Sequence, residues 1–317
     1  KTQKGKILGQ CMAEEFEARE NPVFGRKVFF INASFNIEQL AKGRLRDMEY
    51  ETYIIEDFKQ AKCILRSNPD SICLVNLDHV GSNSLTVVQY LNFILSCEED
   101  ETLSTIFFGV LSINTSPKQM DLFFYNLKLP CGYVPASPNR EDFAETLSCI
   151  LDVNGAKGRR QYVRATCEVS GNAFIDLPLV NSSVKLPLVD FSSVGLACKI
   201  PEKMSGLIPA NASLPNVDLW LYGVKFPAPL VVLKEYKKGD INVLVTLFAK
   251  NITMEVRNKV RSYVFRILEG NIDKQADYAN PDETEYPLEL KKKSMVVNME
   301  DLPTTDDISD ATELESL

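Results

Sequence analysis

Two periodicities divide this chain. Between residues 27 and 151, short apolar runs alternate with stretches whose apolar residues recur every three or four positions. The runs 28–31, 50–55, 72–77, 106–111 and 133–134 read as strands. The stretches 35–48, 58–66, 85–96, 119–127 and 140–151 read as helices. Strands that alternate with helices predict a doubly wound parallel sheet covered on both faces.

After residue 158 the period falls to two. Runs at 163–169, 173–177, 184–191, 196–200, 217–224, 230–235 and 241–248 are separated mostly by turn residues. In the fifth of them Val217, Leu219 and Leu221 share one face, with Asp218, Trp220 and Tyr222 on the other. Such runs predict an antiparallel β-barrel. Residues 254–271 then carry one apolar helical stripe, interleaved with Arg257, Lys259, Arg261 and Arg266. This helix is expected to cover an open end of the barrel, with its basic side solvated, and nucleic acid is not expected as a partner. The predicted order is an extension at 1–25 with a short helix near Cys11, an α/β domain at 26–151, and a polar, glycine-containing linker at 152–158. A β domain with its helix at 159–272 and a disordered acidic tail at 273–317 follow. Within the tail, Met295-Val296-Val297 is a candidate docking segment.

Composition is that of a globular protein, 45% hydrophobic and 25% charged. The net charge of −8 lies almost wholly after residue 272, where acids dominate, so it does not argue against an anionic ligand in the body of the chain. The eight cysteines show no C-x-x-C spacing and several sit in apolar runs, as Cys73 does. They read as small buried hydrophobes in a reducing compartment. No apolar stretch reaches the length of a membrane span and no signal peptide is visible, so the expected location is the cytoplasm, without membrane insertion. The single histidine, His79, has Asp78 beside it but no nucleophile with an evident base, and no phosphate-binding loop or zinc spacing occurs. The chain is therefore not expected to be an enzyme, nor to carry a metal or other cofactor.

Two motifs remain. Arg159-Arg160-Gln161-Tyr162-Val163-Arg164 is an R-R-x-x-x-R cluster, and Asp190-Phe191-Ser192-Ser193-Val194-Gly195 is a D-x-S-x-x-G. Guanidinium forks suit phosphate oxygens and the O6/N7 edge of guanine. A carboxylate accepts from guanine N–H groups, a hydroxyl adds a further hydrogen bond, and glycine lets a ligand approach the backbone. Singly, the first fits a solvated basic turn and the second an ordinary hairpin turn. The ordered pair in one β domain is what carries information.

Residues 159 to about 272 resemble a PilZ domain, the bacterial receptor module for cyclic di-GMP. Arg160 and Arg164 match the family's R-x-x-x-R, Asp190, Ser192 and Gly195 match its D/N-x-S-x-x-G, and Arg159 is the extra arginine that many members carry. The resemblance implies a flexible arginine segment before the first barrel strand, wrapping the ligand against the second motif. Arg160 and Arg164 would grip phosphates and guanine edges, Asp190 would accept from guanine N1–H or N2–H, Ser192 would bond nearby, and Gly195 would leave room. With Arg159 contributing, two ligands as an intercalated dimer are expected.

The first domain resembles the receiver domain of a response regulator, with Gly132-Tyr133-Val134 and Pro138 matching the end of its fifth strand. A flavodoxin-like domain of other ancestry fits the same pattern. The receiver's chemistry is missing. Asn32-Ala33-Ser34 stands where an acid pair would hold Mg²⁺, Asn76 stands at the phosphoacceptor position with Asp78 two residues late, and Ser137 replaces the lysine. It reads as a pseudo-receiver. The function expected from the whole is a cyclic di-GMP effector that signals by rearranging its two domains toward an unidentified protein partner. The alternatives are a PilZ-like scaffold of a motility or pilus complex that binds no nucleotide, and a small-barrel binder of RNA or single strands. The last would need stacking aromatics along a basic groove, and only Tyr162 lies in the cluster.

Overall fold

A computed structural model of the chain describes residues 24–78, 84–113, 116–137, 139–167, 172–179, 182–277, 280–282 and 284–289. His79, Pro138, the helix expected near Cys11 and the segment Met295-Val296-Val297 lie outside them. The chain forms two compact units. One holds residues 25–157 and the described residues from 280 onward; the other holds 158–277 with Phe24.

The N-terminal unit is built on β1 (Val28–Ile31), β2 (Thr52–Ile55), β3 (Ile72–Asn76), β4 (Phe107–Ser112) and β5 (Tyr133–Pro135), all parallel in the order β2-β1-β3-β4-β5. All four β1 residues are buried, as a strand covered on both faces requires. Between the strands run α1 (Phe35–Gln39), which continues into a π-helical turn at Leu40–Leu45, and α2 (Ala61–Arg66), α3 (Val87–Glu98), α4 (Pro117–Asn126) and α5 (Arg140–Val153). Short polar side chains start the helices. Ser34 Oγ accepts from the Ile37 N–H, Thr86 and Gln89 form a reciprocal capping box, and Ser116 precedes Pro117 at the first turn of α4.

The end of α5 corrects the expected linker. Asp152 and Val153 are helical, and Gly155 takes φ +73°. The Ala156 N–H donates to Leu151 O and the Gly155 N–H to Asp152 O, the paired bonds of a Schellman cap. Gly155 also accepts from the Arg26 N–H, and Ala156 is buried. Glycine at 155 thus stops a helix and packs. The irregular backbone between the units is residues 158–163.

The C-terminal unit is an antiparallel sheet of β6 (Arg164–Thr166), β7 (Ala173–Pro178), β8 (Ser183–Ser192), β9 (Gly195–Ile200), β10 (Ser213–Leu214), β11 (Asp218–Leu221), β12 (Val224–Pro227), β13 (Leu230–Lys238) and β14 (Ile241–Phe248). Pairing follows the path β10-β13-β14-β9-β8-β7-β11-β12, with β6 added on β8. Among the described residues no pairing joins β10 to β12, so the strands form a curled path rather than a hydrogen-bonded ring. Inward residues from almost every strand, among them Ile175, Leu186, Phe191, Leu219, Leu230 and Leu244, share one core with Val260 and Val264 of α6 (Met254–Asp277). The apolar stripe of α6 covers the core as its spacing predicts.

Two further readings are corrected. The run 217–224 is a hairpin of β11 and β12, turned at Tyr222 (φ +49°) and Gly223 (φ +85°), a two-residue turn with both φ positive. Tyrosine is not a residue that announces such a turn, so the sequence ran through it. The tail expected from 273 is ordered at its start, since α6 runs to Asp277 and Asp282, Tyr286, Pro287 and Glu289 contact residues 58–62 and α3 of the N-terminal unit. Acidic composition hid one buried aromatic, Tyr286.

Candidate functional site

The antiparallel pairing of β6 with β8 places Arg164 opposite Ser192, Ala165 opposite Phe191 and Thr166 opposite Asp190. Residues that lie 24 to 28 positions apart in sequence become cross-strand neighbours. Ala165 and Phe191 point into the core, so Arg164 and Thr166 emerge on the outer face. The Arg164 guanidinium lies 3.5 Å from an Asp190 carboxylate oxygen, with the two side chains 42% and 28% exposed.

A β-bulge sets where Asp190 points. In the β8–β9 ladder Leu188 pairs with Cys198 but Asp190 pairs with Ala197, so β8 carries one extra residue at Val189. Before the bulge the inward residues are Leu186 and Leu188, and after it Phe191. The parity change turns Asp190 outward beside Arg164 while keeping Phe191 in the core. The Val189 carbonyl freed by the bulge accepts from the Cys167 N–H. Burial, helped by the nearby Asp190 charge, pushes the Cys167 thiol up to about 12, so it offers no thiolate here near neutral pH.

Ser192 and Gly195 do different work from Asp190. Ser192 is 2% exposed; its hydroxyl donates to Gly195 O and accepts from the Val194 N–H, locking the turn into β9. Gly195 faces β14 closely: a Cβ there would stand 2.3 Å from Thr246 O and 3.1 Å from Leu247 Cα. The glycine is required by strand packing, whether or not a ligand also approaches it. The sequence assigned both residues to the ligand; the structure gives each an internal partner.

The other arginines sit on the irregular segment 158–163. Val163 packs against the core and anchors its end. Arg159 and Arg160 are exposed, and the Arg160 guanidinium lies over the Phe24 ring, 4.1 Å from its centroid. Nothing in the polar N-terminal sequence marked Phe24 for this contact. Beside β6, a cavity of about 270 Å³ is lined by Thr166, Tyr222, Tyr263, Arg266, Gly270 and Lys274, among others. The sequence pattern places Arg266 only on a solvated helix face and singles out neither Thr166 nor Lys274.

In the N-terminal unit the receiver-like positions are occupied by a polar network. Asn32 Nδ2 donates to the carbonyls of Asn76 and Asp78 at 2.8 Å each, Asn76 Nδ2 donates to Asn32 O, and Ser84 Oγ donates to Asn32 Oδ1. The Asp78 carboxylate accepts from Ser112 Oγ and from the Ile113 N–H at 2.9 Å each. Amides stand where acids would be needed, and the one carboxylate is turned onto the end of β4. Among the described residues no three histidine, cysteine or acidic side chains cluster to hold a metal, and no helix is long and apolar enough to cross a membrane.

Neither a family model nor a curated protein matches the chain. Solved structures do. YcgR in complex with c-di-GMP from Escherichia coli is 17% identical, with 38% of this chain and 50% of that chain covered, at a TM-score of 0.31. The Bacillus subtilis inhibitor of motility MotI/DgrA is 15% identical, covering 35% of this chain and 52% of that one, at 0.30. The receiver domain of the response regulator NarL from Mycobacterium tuberculosis is 15% identical, covering 42% and 98%, at 0.29. The chain spans about half the length of the first two.

Two outcomes follow from the site's geometry. Gly195→Ala forces the β14 backbone away and should lower stability by about 1–3 kcal/mol in urea denaturation without any nucleotide; an unchanged midpoint would show that the close approach is not real. Incubation with acetyl phosphate and Mg²⁺ should leave the intact mass unchanged, whereas a phosphoryl adduct on Asp78 would contradict the closed network. The solved structures that this chain is similar to include the PilZ domain of YcgR with c-di-GMP and the receiver domain of the response regulator NarL.

Proposed function

We propose that this chain is a cyclic di-GMP effector and not an enzyme, with the ligand held on the outer face of the β6–β8 ladder. The observation that carries the reading is the register that sets Arg164 and Asp190 side by side, directly after an arginine-bearing segment in the sequence. The two groups satisfy one another while the site is free. A partly exposed ion pair of this kind is worth about 0–1 kcal/mol, so a ligand that offers each a better partner displaces it at little cost. Guanine does so: its O6/N7 edge takes two guanidinium N–H groups, and its N1–H and N2–H donate to a carboxylate. The phosphates take the remaining arginine forks.

The signal would pass through residues 158–163. Two guanidinium groups, Arg159 and Arg160, lie on the six irregular residues 158–163, with Arg164 at the start of β6, and their mutual repulsion disfavours a single arrangement. Phosphates remove that repulsion and would pin the segment, so the join between the units changes when ligand binds and alters a surface read by a protein partner. The Schellman cap at Gly155 confines this change to the residues after it.

Calorimetric titration with cyclic di-GMP, with GTP and a short RNA as controls, tests the assignment. Arg160→Ala and Arg164→Ala should each weaken binding by about 2 kcal/mol or more, the loss expected for a charge-assisted bidentate contact. Two ligands per chain are expected, falling to one in Arg159→Ala. Micromolar binding that survives the double substitution at 160 and 164 would refute the site. Ligand should also slow amide exchange at 158–164; protection confined to 190–195 would leave the site standing and remove the segment from the signal.

A further inference from the structure

After α6 the chain returns to the N-terminal unit, where residues 282–289 are held by a set of contacts independent of the nucleotide motifs. The Asp282 N–H donates to Lys59 O at 2.7 Å, and its carboxylate lies 3.4 Å from Lys62 Nζ. The Tyr286 hydroxyl donates to the same carboxylate at 2.8 Å. The Tyr286 ring is 7% exposed and meets Phe58 and Phe93 edge to face, at centroid distances of 5.8 and 5.7 Å.

Two side chains of α3 read the backbone of this segment. Gln89 Nε2 donates to Tyr286 O at 3.0 Å, while its Oε1 accepts from the Thr86 N–H in the helix cap. Asn92 Nδ2 donates to Pro287 O at 2.8 Å and Glu289 O at 2.9 Å. Asn92 is 1% exposed and stands among buried apolar residues of α3. Asparagine is a poor helix former, and a buried amide without partners is costly. Its place on the buried face makes sense as a fork for the carbonyls of an extended peptide.

We propose that the α2–α3 face is a peptide-recognition groove and that residues 282–289 are its releasable internal ligand. The anchor is a Tyr-Pro pair, with an acid four residues before the tyrosine facing Lys62 and an aromatic pair beneath. For a free peptide with one aromatic anchor and a few hydrogen bonds we take a dissociation constant on the order of 10–100 μM. Four residues separate the end of α6 from Asp282, so the effective concentration of the tethered segment is on the order of millimolar. The docked form then outweighs the undocked by about 10- to 100-fold. That is firm enough to fill the groove and weak enough to open. While docked, the segment ties the end of α6 to the N-terminal unit through non-covalent contacts, and undocking releases that tie. The proposal goes beyond the nucleotide reading and holds whether or not that reading does.

The test uses the full chain and a fluorescent peptide of residues 280–289. The Tyr286→Ala chain should bind the peptide, the wild-type chain should bind it at least tenfold more weakly because its own segment competes, and adding Asn92→Leu to Tyr286→Ala should abolish binding. Equal binding by wild type and Tyr286→Ala, or none by Tyr286→Ala, overturns the proposal. A wild-type dimer that Tyr286→Ala dissolves would place a second copy's segment in the groove and overturn the internal assignment. Hydrogen exchange on the wild-type chain gives a reading free of substitutions. Amides of 284–289 should open without denaturant dependence, well before those of α3. Opening only with the whole unit would show an integral part of the fold.

Discussion

The site depends on one constraint, the antiparallel register of a three-residue strand. β6 pairs with β8 so that Ala165 fills the core against Phe191 and its two neighbours must face outward. A slip of one residue would bury Arg164 and expose Ala165, at a cost no short strand could meet. Core packing therefore holds a charged side chain at the surface beside Asp190. The bulge at Val189 completes the arrangement, because it brings Asp190 out while Phe191 stays in. Hydrophobic burial, and not attraction between charges, aligns the two motifs.

The second motif divides accordingly. Asp190 is the outward member, in contact with Arg164. Ser192 and Gly195 are buried, one locking a turn and the other allowing β14 to approach. A six-residue pattern that reads as one ligand-binding unit divides into a partly exposed carboxylate and a buried turn. Substitutions at Ser192 or Gly195 act on the fold first, so a loss of binding there would say little about contact with a ligand.

Much of this was legible in the sequence because the two periods are clean. The apolar run at 28–31 and the strand at 241–248 coincide with their pattern, since nothing but burial sets their limits. The failures have physical causes. Tyr222-Gly223 carries a turn without a turn-forming residue at its first position, so a hairpin looked like one strand. Gly155 resembled flexible linker sequence because a helix cap and a hinge use the same residue. The acidic stretch after 272 hid Tyr286, because net charge says nothing about a single buried anchor. At the site, Arg164 and Asp190 were readable as types that suit a guanine, and their juxtaposition was not. It depends on a bulge, visible in hindsight as the shift of apolar parity from Leu186 and Leu188 to Phe191.

The central claim is that Arg164 and Asp190 act on one ligand as neighbours, and a double-mutant cycle on cyclic di-GMP affinity tests it most directly. Groups that hold the same guanine lose their effects together. The account predicts that Arg164→Ala with Asp190→Ala costs less than the sum of the single substitutions, with a coupling above about 1 kcal/mol. Losses that add to within about 0.5 kcal/mol would mean that the two residues act independently, and would contradict a shared site on the β6–β8 ladder.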